Sequence, residues 1–272
     1  MEIKVLNKGF VRLVDIMGDD SAIVQAARTS YGTGTKSYEE DKKLIRYLLR
    51  NKHTSPFEMV ELKFHIKLPI FVARQWIRHR TANVNEFSGR YSEMRDEFYI
   101  PELEDVRNQS TTNKQGRSDT ILDSEISSSF VESIKNSQTD LYKEYKHYID
   151  TGIARELSRI NLPLSIYTEW YWKIDLHNLF HFLKLRMDKH AQYEIRCYAE
   201  AIAEILKEKV PIAYEAFEDY TLNSMYFSKN EQKLLSKLLN NIDIDDALLS
   251  DVKLDKREIT EFKDKINLLK QK

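Results

Sequence analysis

The stretch VELKFHIKL, residues 60–68, decides the fold, because apolar and polar side chains alternate strictly along it. Successive side chains of a β-strand point to opposite faces of a sheet, so this alternation predicts a strand with one buried face. Pro69 follows, and we expect it to end the strand, because proline has no backbone N–H for a ladder of hydrogen bonds. The apolar face of such a strand needs a second layer to cover it.

The segments on either side of this strand predict its neighbours. Upstream, Gly9–Met17 indicates a short strand, and Ser21 has a side chain that can cap a helix through SAIVQAAR. The stretch SYEEDKKLIRYLLR, residues 37–50, predicts a second helix, since its acidic residues come first and its basic residues last. Downstream of Pro69, IFVARQWIRHR has helical character and leads into the polar stretch NVNEFSGRYSEMRDEFYIP, whose end looks extended.

The C-terminal half of the chain has mainly helical periodicity. From Leu141 to Tyr220 this periodicity is interrupted at Gly152, Pro163 and Pro211. The apolar stripe of one helix consists of Ile195, Tyr198, Ala199, Ile202 and Leu206. The expected fold class is therefore α+β, with helices packed on a small, mostly antiparallel sheet.

Two polar regions set the expected domain boundaries. Residues 104–140 are rich in Ser, Thr, Asn, Gln and charge, which predicts an insertion or mobile loop that runs into a helix and lies outside the core. The region 221–272 is rich in Lys, Leu, Asn and Asp and predicts a helical C-terminal extension of unknown role. The main domain is therefore expected to cover residues 1–220, including the 104–140 insertion.

The overall composition limits the classes of function. With 42 basic and 43 acidic residues, the chain has no net field that would attract nucleic acid or anionic membranes regardless of sequence. The start MEIKVLNKGF lacks the apolar segment of a signal peptide, and no apolar run approaches the roughly 18 residues that span a bilayer. The single cysteine, Cys197, excludes an internal disulfide and a multi-cysteine metal site. We therefore expect a soluble cytoplasmic protein without nucleic-acid or membrane partners.

The densest chemical signal lies between residues 78 and 90. Guanidinium groups bind phosphate oxygens in pairs, and a glycine lets the backbone approach a ligand closely. For an isolated R-H-R, a solvated basic helix end is the commoner explanation, but here further polar residues follow in order. The set, which is suited to binding a phosphate and a planar ring together, consists of Arg78, His79, Arg80, Asn85, Glu86, Ser88, Gly89 and Arg90.

This motif and three longer segments resemble the flavin-dependent thymidylate synthases. The R-H-R of Arg78–Arg80, followed by Ser88, matches the signature of that family. The segments HTSPFE (53–58), PIFVARQWIRHRTANVNEFSGRY (69–91) and LSRINLPLSIYTEWYWKIDLHNLFHFLKLRMDKHAQYEIR (157–196) resemble it as well, in the right order. Together with the start of the chain, the resemblance covers roughly residues 1–103 and 150–220.

The resemblance implies a reaction, its cofactors and an assembly. The domain of residues 1–220 is expected to be catalytic and to make dTMP from dUMP. Methylenetetrahydrofolate is the expected carbon donor, and FAD reduced by NADPH is the expected hydride carrier. The family's homotetramer, with FAD bound at contacts between subunits, is the expected assembly.

The resemblance also assigns site residues. Among the cofactor positions, Ser55 stands where some relatives have threonine, and Asp175 departs from an asparagine found in some members. Arg186 falls at the position thought to activate the pyrimidine, which makes it the expected catalytic residue. The FAD positions are Ser55, Arg78, His79, Arg80, Glu86, Asp175, Leu176, His177 and His181. The dUMP positions are Gln75, Arg78, Glu86, Phe87, Ser88, Gly89, Arg90, Arg159 and Arg186.

Physical chemistry supports a catalytic Arg186 but leaves an alternative open. Alkylation of a pyrimidine at C5 builds negative charge on its N3 and O2 edge, and a fixed guanidinium stabilises such charge. The alternative is that Arg186 pairs with Asp188 or Glu194 and only supports its helix. If that helix is unbroken, His177 and Arg186 lie about half a turn apart and point to opposite sides, as in a helix shared between two sites.

Three further patterns allow other functions. His177 and His181 are four residues apart, so on one helix face they can share a metal, as in a metal hydrolase. Packed histidines are the commoner explanation of such a pair, and no metal is expected. Arg78, Arg80, Arg90 and Tyr91 can form a phosphate and stacking surface for nucleic acid. Cys197 is expected to be structural, and the aromatic residues Trp76, Trp170, Trp172, Tyr167 and Tyr171 are expected to belong to the core.

Overall fold

A computed structural model describes residues 1–29, 37–111, 114–239 and 254–271. The chain divides into two compact units, Met1–Leu222 and Asn223–Lys272. The first unit contains a five-stranded sheet and a separate two-stranded hairpin, together with most of the helices. No helix among the described residues is both long enough and apolar enough to cross a lipid bilayer.

The main sheet is antiparallel throughout, which confirms the predicted α+β class. In space its strands follow the order first, second, third, seventh and fourth. The strands in chain order are β1 (Glu2–Val5), β2 (Gly9–Met17), β3 (Glu61–Pro69), β4 (Asn83–Glu86), β5 (Arg107–Gln109), β6 (Arg117–Ile121) and β7 (Tyr167–Asp175), of which β5 and β6 form the hairpin.

The central strand of this sheet is β3, as its alternating pattern predicts. It pairs with β2 on one side and with β7 on the other. Leu62, Phe64 and Ile66 are completely buried on its apolar face. Pro69 is the last residue of the strand, which continues directly into a helix.

The prediction of helix from Leu141 to Tyr220 is wrong for β7. Trp170, Trp172 and Ile174 are buried there, and the residues between them are more exposed, so the true periodicity is two. The sequence YTEWYWKID is rich in aromatic side chains, which suit strands. Its pairing along the whole of β3 outweighs the helical tendency of the flanking segments.

The edge strand β4 also departs from the prediction. We expected only the end of the polar stretch after residue 82 to be extended, yet the stretch begins with a strand that pairs with Trp170–Lys173. Its side chains are all exposed, so no apolar alternation marks it in the sequence. The end of the stretch is extended, as predicted, at Phe98, which bridges to Ile166.

The first two helices lie where the sequence predicts them, with one difference in capping. The first helix starts at Asp20, and Asp19 rather than Ser21 caps it, since an Asp19 carboxylate oxygen accepts the Ser21 N–H at 2.8 Å. Ser37 caps the second helix and forms a capping box with Glu40. The helices of the first unit are α1 (Asp20–Thr29), α2 (Tyr38–Arg50), α3 (Ile70–Trp76), α4 (Ser124–Asp150), α5 (Arg155–Ser158), α6 (Leu176–Arg186), α7 (Tyr193–Lys209) and α8 (Pro211–Phe217).

The core lies between the apolar face of the sheet and the helices. The predicted stripe of α7 is confirmed, because all its members are completely buried. Trp76 of α3 packs edge-to-face on Trp170 and Trp172, with ring centroids 5.7 and 5.1 Å apart. These tryptophans are therefore core residues, as predicted, whereas Tyr171 is exposed.

The 104–140 segment contains the hairpin and the first part of α4, apart from residues 112–113, which lie outside the described ranges. It runs into a helix, as predicted. The expectation that it lies outside the core is wrong for Val106, Val131 and Gln138, which are buried. Gln138 donates hydrogen bonds of 3.0 Å to the Tyr99 carbonyl and the Ser165 hydroxyl, which ties α4 to the domain.

The second unit contains helices α9 (Lys229–Leu239) and α10 (Lys256–Lys270), which pack on each other. Asp255 caps α10 and forms a capping box with Glu258. The parts of the predicted extension at 240–253 and 272 lie outside the described residues.

Candidate active site

One group of predicted site residues lies where the segment after α3 meets the end of α6. The helix α3 is shorter than its helical sequence suggests and ends at Trp76, which is anchored in the core. Arg186, the last residue of α6, donates its Nε–H to Nε2 of His79 at 2.9 Å. One of its Nη groups donates to the backbone carbonyl of Gln75 at 3.4 Å. The fold therefore brings Gln75, His79 and Arg186 together.

The charge of Arg186 has no acidic counterpart in the described part of the chain. Asp188 accepts instead from His190 at 2.8 Å, and Glu194 is paired with Arg117. The alternative of an ion pair between Arg186 and either carboxylate is therefore wrong. Burial lowers the pKa of Arg186, as expected for a cation without a compensating anion.

His79 is a neutral partner for this guanidinium. Burial, followed by the positive charges of Arg186 and His181, lowers the pKa of His79 to about 4. Because Nε2 accepts the Arg186 hydrogen bond, the proton of the neutral ring lies on Nδ1. His79 thus orients Arg186 without neutralising it.

Two cavities share Arg78 and Arg186 in their walls. The first, the His79 cavity, has a volume of about 560 Å³ and is also lined by His79, Arg80 and His181. The second, the Gln75 cavity, has a volume of about 350 Å³ and is also lined by Gln75. Four of the predicted FAD residues thus line one cavity, and three of the predicted dUMP residues line the other.

A second group of predicted dUMP residues surrounds Gly89. A Cβ atom at this buried glycine would lie 3.3 Å from Cδ and Nη1 of Arg159 and 2.8 Å from the sulfur of Met94. The glycine therefore leaves room for Arg159. The Ser88 hydroxyl accepts from the N–H of Arg90 at 3.3 Å, so Ser88, Gly89, Arg90 and Arg159 lie together.

Glu86 and Phe87 connect this group to β7. The Glu86 carboxylate accepts the Thr168 hydroxyl at 2.7 Å, and the N–H of Phe87 donates to the Glu169 carbonyl at 2.8 Å. Glu86 is exposed. These contacts hold the Ser88–Arg90 segment at the edge of the sheet.

The remaining predicted FAD residues lie at the opposite end of the sheet. Ser55 starts the short 3₁₀ helix Ser55–Met59, and the nearby Val60 carbonyl accepts the N–H of Leu176 at 2.8 Å. Asp175 caps α6 by accepting from the N–H and side-chain amide of Asn178, at 2.9 and 2.7 Å. Leu176 is completely buried, so its side chain is enclosed by the core.

The residues around Gly89 and the residues around Asp175 lie at different positions along β7. Glu86 pairs with Trp170, whereas Asp175 ends the same strand five positions later. At about 3.3 Å per residue, the two ends are about 17 Å apart. One chain therefore does not gather all the predicted ligand residues at a single place.

Two other sequence patterns have clear outcomes. His181 is exposed, with its ring centroid 6.2 Å from that of His79, and His177 is half-buried. Within the ranges that the structure describes, no three side chains suited to a metal lie together, so the two histidines lack a third ligand there. Burial raises the pKa of Cys197, which disfavours the thiolate that a nucleophile needs.

Sequence reasoning missed Gln192 and Arg117 near the Gln75 cavity and named the wrong possible partner for Glu194. Gln192 lines this cavity and donates to Glu194 at 2.8 Å, and Glu194 in turn accepts from Arg117. Gln192 and Glu194 stand within the HAQYE segment, but their spacing of two carries no helical or metal signature. Arg117 lies in the polar insertion, where nothing local indicates a buried partner.

Comparisons with known proteins identify the family. The family described as thymidylate synthase complementing protein matches residues 12–212. The flavin-dependent thymidylate synthase of Ehrlichia ruminantium (strain Gardel) is 56% identical over 263 residues, which cover 97% of this chain and 87% of that protein. The flavin-dependent thymidylate synthase of Thermus thermophilus is 57% identical over 239 residues, which cover 88% of this chain and 86% of that protein.

A solved structure is similar as well. The UMP/dUMP methylase PolB from Streptomyces cacaoi, bound with 5-Br dUMP, superposes with a TM-score of 0.73 at 32% sequence identity. The superposition covers 82% of this chain and 100% of that one. The chain therefore belongs to the thymidylate synthase complementing protein family, the flavin-dependent thymidylate synthases.

Proposed function

We propose that this enzyme is a methyltransferase that makes dTMP from dUMP, with methylenetetrahydrofolate as carbon donor and NADPH-reduced FAD as hydride carrier. The observation that carries the proposal is the pair of cavities that share Arg78 and Arg186. Hydride passes between two rings only when they are held in contact, so neighbouring cofactor and substrate sites are required. The cavities supply adjacent sites with suitable residues.

The residues around the His79 cavity fit FAD. Arg78 and Arg80 are exposed at its rim, and within the described ranges neither forms an ion pair. Their guanidinium groups are available to the oxygens of a pyrophosphate, which they can bind in pairs. When bound, FAD supplies the hydride chemistry, and the protein contributes orientation and charge.

Arg186 is the proposed catalytic residue. Its guanidinium is half-buried and held by His79 and the Gln75 carbonyl, so little reorganisation is needed when charge develops nearby. A fixed cation of this kind stabilises negative charge on the N3 and O2 edge of an alkylated pyrimidine. The absence of a carboxylate partner among the described residues leaves its full charge for that task.

The dUMP phosphate is assigned to Ser88, the Gly89 backbone, Arg90 and Arg159. Arg90 is exposed, and its guanidinium donates to the Tyr91 hydroxyl at 3.4 Å and lies over the Tyr91 ring. Gly89 allows close backbone approach, and Arg159 lies beside it. This arrangement is suited to charge-assisted binding of phosphate oxygens.

A homotetramer with shared sites follows as a proposal from the separation of these groups. The Ser88–Arg90 group and Ser55 with Asp175–His177 lie at opposite ends of one sheet, about 17 Å apart at about 3.3 Å per strand residue. A second copy can complete each site. The unbroken helix α6, which starts at one group and ends at Arg186, supports a helix that serves two sites.

Several finer expectations stay predictions. They are the catalytic role of residues 1–220 as one domain, the cytoplasmic location and the lack of nucleic-acid and membrane partners.

The test of the function uses the full-length protein. We expect it to purify yellow, with flavin absorption near ~450 nm, and NADPH to bleach this band without oxygen. Adding dUMP and methylenetetrahydrofolate should restore the band and form dTMP. A colourless protein that forms no dTMP even with added FAD contradicts the proposal. Salt-sensitive binding of nucleic acid without a chromophore would favour the nucleic-acid alternative, and loss of activity on chelation would favour a metal enzyme.

The assembly has a separate test. Sedimentation of the FAD-loaded protein is expected to give the mass of four chains. A monomer that retains stoichiometric FAD would contradict the shared sites and leave the proposed reaction standing.

A further inference from the structure

A chain of polar side chains connects the hairpin to the Gln75 cavity. Glu194 lies at its centre, with only 4% of its side chain exposed. Its Oε1 accepts from Arg117 and from the Tyr99 hydroxyl, the latter at 2.9 Å. Its Oε2 accepts from Nε2 of Gln192 at 2.8 Å. Oε1 of Gln192 then accepts from Nε2 of Gln75.

The chemistry of the donors sets the direction of every amide in this chain. The carboxylate of Glu194, paired with Arg117, only accepts hydrogen bonds, so Gln192 must turn its NH₂ group toward it. The side-chain oxygen of Gln192 therefore faces Gln75, whose side-chain NH₂ group donates a hydrogen bond to it. Oε1 of Gln75 is left over, and no donor from the described part of the chain reaches it.

We propose that Glu194 is a positioning residue, which acts through Gln192 to hold the Gln75 amide with its oxygen presented to the Gln75 cavity. This inference rests on the proposed function, because it assigns the pyrimidine edge to that cavity. Gln75 and Arg186 line the cavity together, and one guanidinium nitrogen of Arg186 donates to the backbone carbonyl of Gln75 at 3.4 Å, so the two residues are neighbours in its wall. The cavity therefore presents an acceptor beside donors.

This arrangement selects uracil over cytosine. The N3–H of uracil stands beside the carbonyl O2, so it matches an acceptor beside a donor. In cytosine N3 is itself an acceptor and would face Oε1 of Gln75, lone pair against lone pair. A site that leaves its polar groups unpaired against the wrong ring rejects that ring strongly.

The substitution Glu194→Gln should reverse the orientation of the side-chain amides of Gln192 and Gln75. Arg117 and its neighbour Tyr99 still present donors, and Arg117 can only donate, so the new amide must keep its oxygen toward Arg117. The NH₂ group of the new amide then faces Gln192, whose side-chain amide rotates by half a turn so that its oxygen accepts the hydrogen bond. Gln75 turns over in response and presents an NH₂ group to the cavity. That donor opposes N3–H of uracil and suits N3 of cytosine.

The double substitution Glu194→Gln with Gln192→Glu is the matched control. A carboxylate at position 192 accepts from both neighbours, so Gln75 can again donate its NH₂ group and present its oxygen. The pair of changes also keeps the total charge of the network. It should restore the selectivity of the wild-type enzyme.

The measurement is the binding of dUMP and of dCMP to the FAD-loaded, oxidised protein, followed by the change in flavin absorption. Wild type is expected to prefer dUMP by about 10- to 100-fold, as for a site with one mismatched polar contact. Glu194→Gln should lose most of this preference or reverse it, and the double variant should regain it. Flavin content and flavin reduction by NADPH should stay unchanged in both variants. A purely structural role for Glu194 would weaken both nucleotides equally, and Gln192→Glu would not rescue it.

Two results would overturn the inference. One is an unchanged dUMP preference in a folded, FAD-loaded Glu194→Gln variant. The other is equal binding of dUMP and dCMP by wild type, which needs no variant and so decides the matter even if Glu194→Gln does not fold. Failure of the proposed function looks different, because wild type would then lack FAD or would not convert dUMP.

Discussion

Arg117 and Arg186 are both half-buried cations, but they differ in what balances their charge. Arg117 is paired with the buried carboxylate of Glu194. Burial lowers its pKa, but the charge and hydrogen bond of Glu194, together with Tyr99 and Asp105, raise it, and the net shift is upward. Arg186 has only the neutral His79 ring and the Gln75 carbonyl as partners, and burial lowers its pKa.

The difference separates a cation whose charge is balanced within the fold from the cation to which we assign the catalytic role. A charge that is balanced within the protein stabilises the fold and offers little to a ligand. A charge that is oriented but not balanced gains most when an anion develops beside it. Substitution of the two arginines should therefore change different measured quantities.

The largest effect is expected for Arg186→Ala. Loss of one fixed donor to a developing anion costs about 100- to 1000-fold in turnover, and here the loss should persist at saturating dUMP. Rapid mixing should show near-normal flavin reduction by NADPH, followed by slow reoxidation with dUMP and methylenetetrahydrofolate. Arg186→Lys should recover only part of the rate, because an ammonium lacks the planar fork. Normal reoxidation in Arg186→Ala would remove the catalytic role.

Arg117→Ala should affect stability instead. It leaves Glu194 buried without its cation, and breaking such a pair costs about 3 kcal/mol of unfolding free energy. Urea unfolding measures this loss. The matched control is Arg107→Ala in the same hairpin, where, among the residues that the structure describes, the side chain donates only to the Glu104 carbonyl, and the cost should be below about 1 kcal/mol. If Arg117→Ala slows reoxidation in the folded protein and leaves stability unchanged, the comparison between the arginines fails.

A third arginine, Arg90, extends the comparison to a cation with no internal role. It is exposed, and its loss should leave the fold and flavin reduction intact. Removing one charge-assisted contact to phosphate should cost about 1.5–3 kcal/mol in dUMP binding. Arg159→Ala should behave similarly. Binding titrations with Arg95→Ala as control check this, since Arg95 is exposed but pairs with Glu169 at 2.6 Å. Loss of FAD from Arg90→Ala with unchanged dUMP affinity would show that the substrate assignment is wrong.

The neutrality of His79 predicts a smaller, pH-dependent effect. Its pKa falls from 6.5 to about 4 in the folded protein, so between these values the unfolded chain binds more protons. The contribution of His79 to stability is therefore complete above pH 6.5 and is lost as the pH falls toward 4. Unfolding curves at several pH values should show a steeper loss on acidification in wild type than in His79→Gln. Equal slopes would mean that His79 is not held neutral beside Arg186.

The smallest effect is expected for Cys197→Ala. The thiol is half-buried with a raised pKa, and the proposed transfers need no covalent adduct with a thiol. Turnover should stay within about 2-fold of wild type, with a stability change below about 1 kcal/mol. Steady-state assays of the FAD-loaded variant decide this. Abolished turnover in a folded variant would instead support a nucleophilic cysteine.

What the sequence determined by itself is local in origin. The alternation at residues 60–68 identified the central strand, because a strand exposes its periodicity within a few residues. The apolar stripe of α7 did the same for the helix that covers the sheet. The residues from Arg78 to Arg90 indicated anion-binding chemistry, since the types of side chain and their order suffice for that inference.

Only the tertiary structure decided which of these residues meet. The strand β7 forms through its pairing with β3 in spite of the helical tendency of the flanking segments, and the exposed edge strand β4, which has no apolar alternation, depends on its pairing with β7. Arg117 meets Glu194 across 77 positions, and Gln75 meets Gln192 across 117. Contacts between such distant positions arise from packing, because the sequence neighbours of a residue do not specify its partners. For the same reason, only the folded chain reveals that Arg117 is balanced by a carboxylate and that Arg186 is held by neutral groups.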